Sequence, residues 1–108
     1  MVSLHNIKEN EMVIIVYEYD VPVEKQAEYV QATREKIKPF WESIGCEAYD
    51  IWQVAESETR FIKTMLFNNM SAMKETVARK EADPVKELWA KFAENASRKI
   101  CLKKTSRT

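Results

Sequence analysis

The chain holds 108 residues, with 17 basic and 17 acidic side chains, one histidine, two cysteines and a single glycine. Zero formal charge removes the electrostatic footprint of a nucleic-acid binder, and one glycine leaves no glycine-rich phosphate loop. The lone histidine, His5, excludes a two-histidine metal site built within one chain. What remains at this length is one soluble α+β domain, large enough to bury a core of its own.

No apolar run approaches the roughly 20 residues of a membrane helix. The first ten residues are polar and carry both charge signs, unlike a secretory signal. The expected compartment is therefore the cytoplasm. Cys46 and Cys101 fit no metal spacing and read as reduced, largely buried thiols.

In chain order, Met12 to Tyr19 (MVIIVYEY) is β-branched and aromatic, which predicts a first strand. Val13, Ile15, Tyr17 and Tyr19 fall on one side of it, Ile14 and Val16 on the other. Asp20 to Pro22 breaks the strand, and Glu24 places an acid in a first helical turn. Val23, Ala27, Val30, Ile37, Trp41 and Ile44 then recur at intervals that trace one face of a long helix. Gly45 follows as its C-terminal stop. Pro39 lies inside that helix and removes the bond to the Glu35 carbonyl, so a kink is expected there.

Cys46 to Val54 and Thr59 to Phe67 alternate as a second and a third strand, joined as a hairpin through Ala55 to Glu58. Asn68, Asn69 and Ser71 are candidate N-caps for a second helix with Met70, Met73 and Val77 on its inner face. Asp83-Pro84 reads as an N-cap acid followed by a proline at the first helical position. Val85, Leu88, Trp89, Phe92 and Ala96 form the stripe of the third helix, and Ser97 to Lys104 is the last strand. The order β-α-β-β-α-α-β specifies a ferredoxin-like split βαβ sandwich, a four-stranded antiparallel sheet with helices on one face. The domain spans residues 1–108, with a core at 12–104, a polar lead-in at 1–11 and a basic tail at 105–108.

Helices on one face leave the other uncovered, and strands one and three put apolar side chains on both sides. An exposed face of that kind exceeds what monomers tolerate, so a second copy of the sheet is the expected cover.

The succession of strand one, V-P-V-E-K-Q-A-E-Y at 21–29, a long helix ending at Gly45, F-N-N-M-S-A-M-K at 67–74 and D-P-V-K-E-L-W-A-K-F at 83–92 resembles the dimeric α+β barrel superfamily. The likeness is nearest to the small antibiotic-biosynthesis-monooxygenase-like (ABM-like) members and covers residues 12–104. It implies a homodimer in which two such sheets face each other to close a barrel. Members of the superfamily include cofactor-independent oxygenases of polycyclic aromatic substrates, haem degraders, isomerases and dehalogenating enzymes. The haem degraders carry a ligating histidine in the stretch equivalent to Val85–Ala96 and a tryptophan at the end of strand three. This chain has no histidine there and Phe67 at the strand end, which counts against haem.

Five residues are the ligand-pocket candidates. Tyr17, Tyr49 and Trp52 offer flat walls with a polar handle, in a space between sheet and helices suited to an aromatic or apolar molecule. Glu18 offers a carboxylate on an otherwise apolar strand face, where desolvation would make it a base; its duller role, shared with Asp50, is a surface pair with Arg60 or Lys63. Asn68 offers an amide for a substrate carbonyl or oxyanion, against the commoner role of such residues as helix caps. Trp41, Trp89 and Phe92 read as core. No histidine lies within the fold to activate either thiol, and no catalytic residue, metal site or cofactor is assigned. Two readings stand: a cofactor-independent oxygenase-like enzyme acting on a small aromatic or apolar molecule, and a non-catalytic ligand-binding or structural dimerisation module. Neither involves nucleic acid or a membrane.

Overall fold

Period-two alternation sets the sheet. The computed structural model describes residues 11–105; the lead-in with His5 and the end of the basic tail lie outside them. β1 (Val13–Asp20) is central, β2 (Ala48–Gln53) and β3 (Arg60–Phe67) form the expected hairpin, and β4 (Glu94–Leu102) closes the other edge. The strand order is β2-β3-β1-β4, antiparallel throughout. This is the ferredoxin-like α+β arrangement anticipated from the element order.

Register puts Val13, Ile15, Tyr17 and Tyr19 on the helix side, level with Phe67, Met65, Lys63 and Phe61 of β3. Ile14, Val16, Ile62 and Leu66 face the other way, together with Ala48, Asp50 and Trp52 of β2 and Ser97, Lys99 and Cys101 of β4. Helices cover only the first of these faces.

The helix after β1 is one continuous rod in three pieces. It comprises α1 (Gln26–Ala32), a π-helical turn (Thr33–Ile37) and α2 (Lys38–Ser43), entered through a 3-10 turn at Val23–Lys25. The kink expected at Pro39 takes the form of this π turn, in which the Lys38 amide bonds the Thr33 carbonyl. Proline's missing N–H and its ring leave no room for a regular bond to Glu35, and a wider ring just upstream absorbs the mismatch. The buried face also differs from the expected one. It runs Tyr29, Thr33, Ile37 and Trp41, while Val23 is 55% exposed and Ala27 is exposed. Steps of four overshoot an α-helical turn by about 40° each; the π turn takes up that drift.

Gly45 ends the rod with φ +134°, and a Cβ there would lie 2.5 Å from Thr76 Oγ1. The glycine thus supplies both a left-handed stop and a close approach. α3 (Met70–Val77) is capped by Asn69, whose side chain accepts from the Ala72 amide at 2.8 Å, and it buries Met73 and Thr76. α4 (Asp83–Ala90) differs from expectation at both ends. A 3-10 turn at Lys80–Ala82 precedes it, so Asp83 is already helical and does not cap, with Pro84 in the first turn. β4 begins at Glu94, which places Ala96 on an exposed strand rather than on the helical stripe. Asn95, at φ +53°, opens the strand, and the register shifts between the partners of Glu18 and Asp20.

The core is divided. One cluster gathers Val13, Ile15, Ile37, Trp41, Cys46, Tyr49, Met65, Phe67, Met73 and Ala82; the other gathers Tyr19, Val21, Tyr29, Phe61 and Phe92. Between them, on the helix side of the sheet, runs the row Ile51, Lys63, Tyr17 and Arg98.

Candidate functional site

Strand alternation buries a lysine. Lys63 sits between Phe61 and Met65, whose parity points them at the helices, and it is only 5% exposed. Its Nζ lies 4.0 Å from the centroid of the Tyr17 ring and 3.9 Å from that of Trp89, with the Tyr49 ring at 5.6 Å. The Tyr17 and Trp89 rings meet edge to face at 5.3 Å. Among the described residues Nζ makes no hydrogen bond and no ion pair; π faces are its only partners. Such faces attract a cation, but burial weighs more heavily and pulls the amine down to about 7.

Other polar groups close on the same layer. The Tyr19 and Tyr29 hydroxyls bond each other. Burial raises both, with the Tyr29 hydroxyl adding to the rise at Tyr19. Tyr49 is fully buried and held well above the ordinary phenol range by desolvation. Its hydroxyl is buried without a hydrogen-bond partner among the described residues, whereas the buried Thr33 hydroxyl and Trp89 indole lie close enough to the Tyr19–Tyr29 pair to oppose the rise of those hydroxyls. Thr33 reaches this layer because it begins the π turn, and Trp89 because α4 lies over β1. Cys46, buried at the far side, is pushed up to about 11 by desolvation and stays a thiol. Cys46 and Cys101 are both free.

The layer opens on one flank. No residue of α4 is fully buried. On β4, Arg98 is exposed and Ile100 is 38% exposed, although their register places them on the helix side. The Lys63–Tyr17 row therefore ends at β4, where Arg98 and Ile100 are accessible.

Of the five residues singled out from sequence, two meet here: Tyr17 and Tyr49 flank Lys63. Glu18 and Trp52 stand on the opposite face of the sheet. Glu18 is bound by Arg60 at 2.9 Å, and Trp52 is 61% exposed. Asp50 likewise sits on that face, 3.6 Å from Lys38 rather than near Lys63. Asn68 is exposed at the end of β3, where its amide donates to Glu47 at 3.0 Å. A shallow depression of about 120 Å³ on the open face, lined by Val16, Glu18, Ser97, Arg98 and Lys99, holds none of the aromatic candidates. Lys63 itself went unrecognised as a site residue. The signal was present, because alternation through Phe61, Met65 and Phe67 puts a charge where only apolar side chains belong.

Among the described residues no group of three or more His, Cys, Asp or Glu side chains is placed to hold a metal ion. No helix is long and apolar enough to cross a membrane.

No family model and no curated protein matches the chain. Solved structures do match in fold. SnoaB, a cofactor-independent oxygenase from Streptomyces nogalater, superposes with a TM-score of 0.69 at 9% identity over 89% of this chain and 96% of its own. A protein from Nitrosomonas europaea, provisionally named an antibiotic biosynthesis monooxygenase, gives 0.71 at 20% identity over 90% and 93%. HapK from Hahella chejuensis gives 0.73 at 8% identity over 90% and 96%. These identities show a shared fold, the four-stranded ferredoxin-like α+β arrangement, with ABM-like proteins among those that have it.

Proposed function

From that shared fold, we propose that this chain is a homodimeric, cofactor-independent oxygenase-like enzyme whose site is the sheet–helix layer around Lys63. The observation that carries the reading is the set of buried polar groups left without partners between aromatic walls. Lys63 Nζ lies against the Tyr17 and Trp89 rings and near the Tyr49 ring, whose hydroxyl is buried without a partner among the described residues. Native interiors satisfy such groups, so a polar, flat guest is the natural complement. A substrate with an activated ring methylene fits the chemistry. It loses one proton, and the resulting anion passes an electron to dioxygen. Recombination and reprotonation give a hydroperoxide, which sheds water. The methylene becomes a carbonyl, with one oxygen atom in the product and the other in the water.

The uncovered sheet face supports the dimer. Ile14, Val16, Ile62, Leu66 and the exposed Trp52 share it, and a second copy would bury an otherwise exposed apolar surface. The free thiols are consistent with a cytoplasmic setting.

A second reading has its own support. The rings of Tyr19, Tyr29, Phe61 and Trp89 pack at centroid separations of 5.1 to 6.1 Å, as a purely structural module would. Oxygen-electrode traces with anthrone as substrate, run beside native mass spectrometry, separate the two. The enzyme reading expects protein-dependent oxygen uptake matched by quinone formation, from a dimer. A dimer without uptake hands the case to the module, and a monomer removes the assembly.

A further inference from the structure

Lys63 differs from every other lysine of the described residues. The others are exposed or, at Lys38, partly exposed and paired with Glu42 at 2.8 Å. Lys63 is 5% exposed, and its Nζ meets ring faces instead of acceptors. No strand places a carboxylate on the helix side of the sheet. The titratable and charged neighbours there are Tyr17 and Tyr19 on β1, Tyr49 on β2 and Arg98 on β4, with Tyr29 arriving from α1 and Cys46 from the turn after α2. Burial holds the Tyr19, Tyr29 and Tyr49 hydroxyls and the Cys46 thiol above their ordinary ranges, so none of them is an anion near neutral pH. On the overlying helices the carboxylates of Glu28, Glu35 and Glu87 are exposed.

An ammonium ion in these surroundings lacks the counter-charge that would offset its burial. A neutral amine there keeps a free electron pair, and desolvation of this kind is what turns a lysine into a nucleophile. We propose that Lys63 condenses with a small apolar aldehyde to form an imine in the layer between sheet and helices. The Nζ electron pair adds to the carbonyl carbon, and the C=O π pair moves to oxygen. The carbinolamine so formed loses that oxygen with two protons as one water, and a C=N bond takes the place of C=O. No oxidant, reductant or further reactant is consumed. The aldehyde is apolar because the walls at Nζ are the Tyr17 and Trp89 rings, and small because it must pass from Arg98 and Ile100 on β4 into a packed layer. At about 7 the amine is half deprotonated in neutral solution, whereas an exposed lysine is deprotonated in fewer than about one molecule in a thousand. The inference shares the layer proposed above as a site, but it needs neither dioxygen nor a second copy of the chain.

The probe is butanal, given to the purified wild-type protein in brief pulses from mildly acidic to strongly alkaline pH. Each pulse is followed by sodium borohydride, which reduces an imine to a stable secondary amine, and peptide mass spectrometry locates the alkyl group. At neutral pH Lys63 should carry at least about ten times the label of the average exposed lysine. Its labelling should reach half of its maximum near neutrality, and the exposed lysines should catch up only as the pH approaches their own range. In urea the preference should vanish, because solvent restores an ordinary lysine. Lys63→Met should lose the neutral-pH label while the exposed lysines keep theirs, with its urea midpoint showing that it is folded. Labelled exposed lysines beside an untouched Lys63 overturn the proposal. So does a Lys63 whose labelling rises only in step with the exposed lysines, since that marks reaction through an opened chain. The assay contains no oxygenase substrate, so imine formation and oxygen uptake stand or fall separately.

Discussion

Replacing Lys63 by methionine should make the protein more stable, and by an amount that depends on pH. The amine falls from the ordinary lysine value of 10.5 to about 7 on folding because burial disfavours its charge. Between those values the unfolded chain holds more protons than the folded one, so stability rises with pH across that window. At pH 7 the wild-type chain bears most of the cost of burying the charge, about 4 kcal/mol. The Tyr17 and Trp89 faces return up to about 2 kcal/mol of it. Methionine keeps the length and apolar stem of the side chain without the charge, so Lys63→Met should gain about 2 kcal/mol at pH 7. That advantage should fall by about 2 kcal/mol on going to pH 9, and so all but vanish, as the wild-type amine needs less and less to remain neutral. Urea denaturation of both proteins at matched pH values reads the difference directly. Cys46 also titrates differently in the two states, with its thiol raised from 9.0 to about 11; it loses stability as pH climbs through that interval, a loss that begins only at the upper end of the pH 7 to 9 comparison. A Lys63→Met protein less stable than wild type at pH 7, or an offset that does not change with pH, would refute the buried, unpaired amine.

Two further outcomes test the backbone. Gly45→Ala should cost about 2–3 kcal/mol in thermal or urea unfolding, because its φ of +134° is unfavourable for a side chain; the Cβ would also meet Thr76 Oγ1, so adding Thr76→Ala should recover part of the loss but not all. Asn69→Ala should lower stability by about 1 kcal/mol through the uncapped Ala72 amide.

The fold was legible because its signals are local. Alternation through Val13, Ile15 and Tyr19 sets one face of β1 regardless of what packs on it, and Gly45 sits where only a residue free to take positive φ can follow a helix. What could not be read needed the third dimension. The Tyr29–Thr33–Ile37–Trp41 face is concealed by its four-residue spacing, which points around an ideal helix and becomes one face only once Pro39 induces a π turn. Asp83 has the composition of a cap, yet the 3-10 turn before it starts the helix earlier. Glu18 and Trp52 lie within one residue of helix-facing positions, and in a strand one residue is the distance between a pocket and the outer face. Lys63 looked like a partner for a surface acid because charge normally implies exposure; only parity with Phe61 and Met65 says otherwise.

The parted core has a mechanical side. Its two clusters are bridged by four partly buried apolar side chains that pack against both, Tyr17, Ile51, Leu88 and Trp89. Two of these are the rings that grip Lys63. The protein is thus sewn together at the seam where it would receive a guest, and it is stitched most thinly there. A molecule seated along that seam would act as an additional stitch, so that recognition and cohesion become one event. The half built on Tyr29 and the half built on Trp41 would then sense each other chiefly when the space between them is filled.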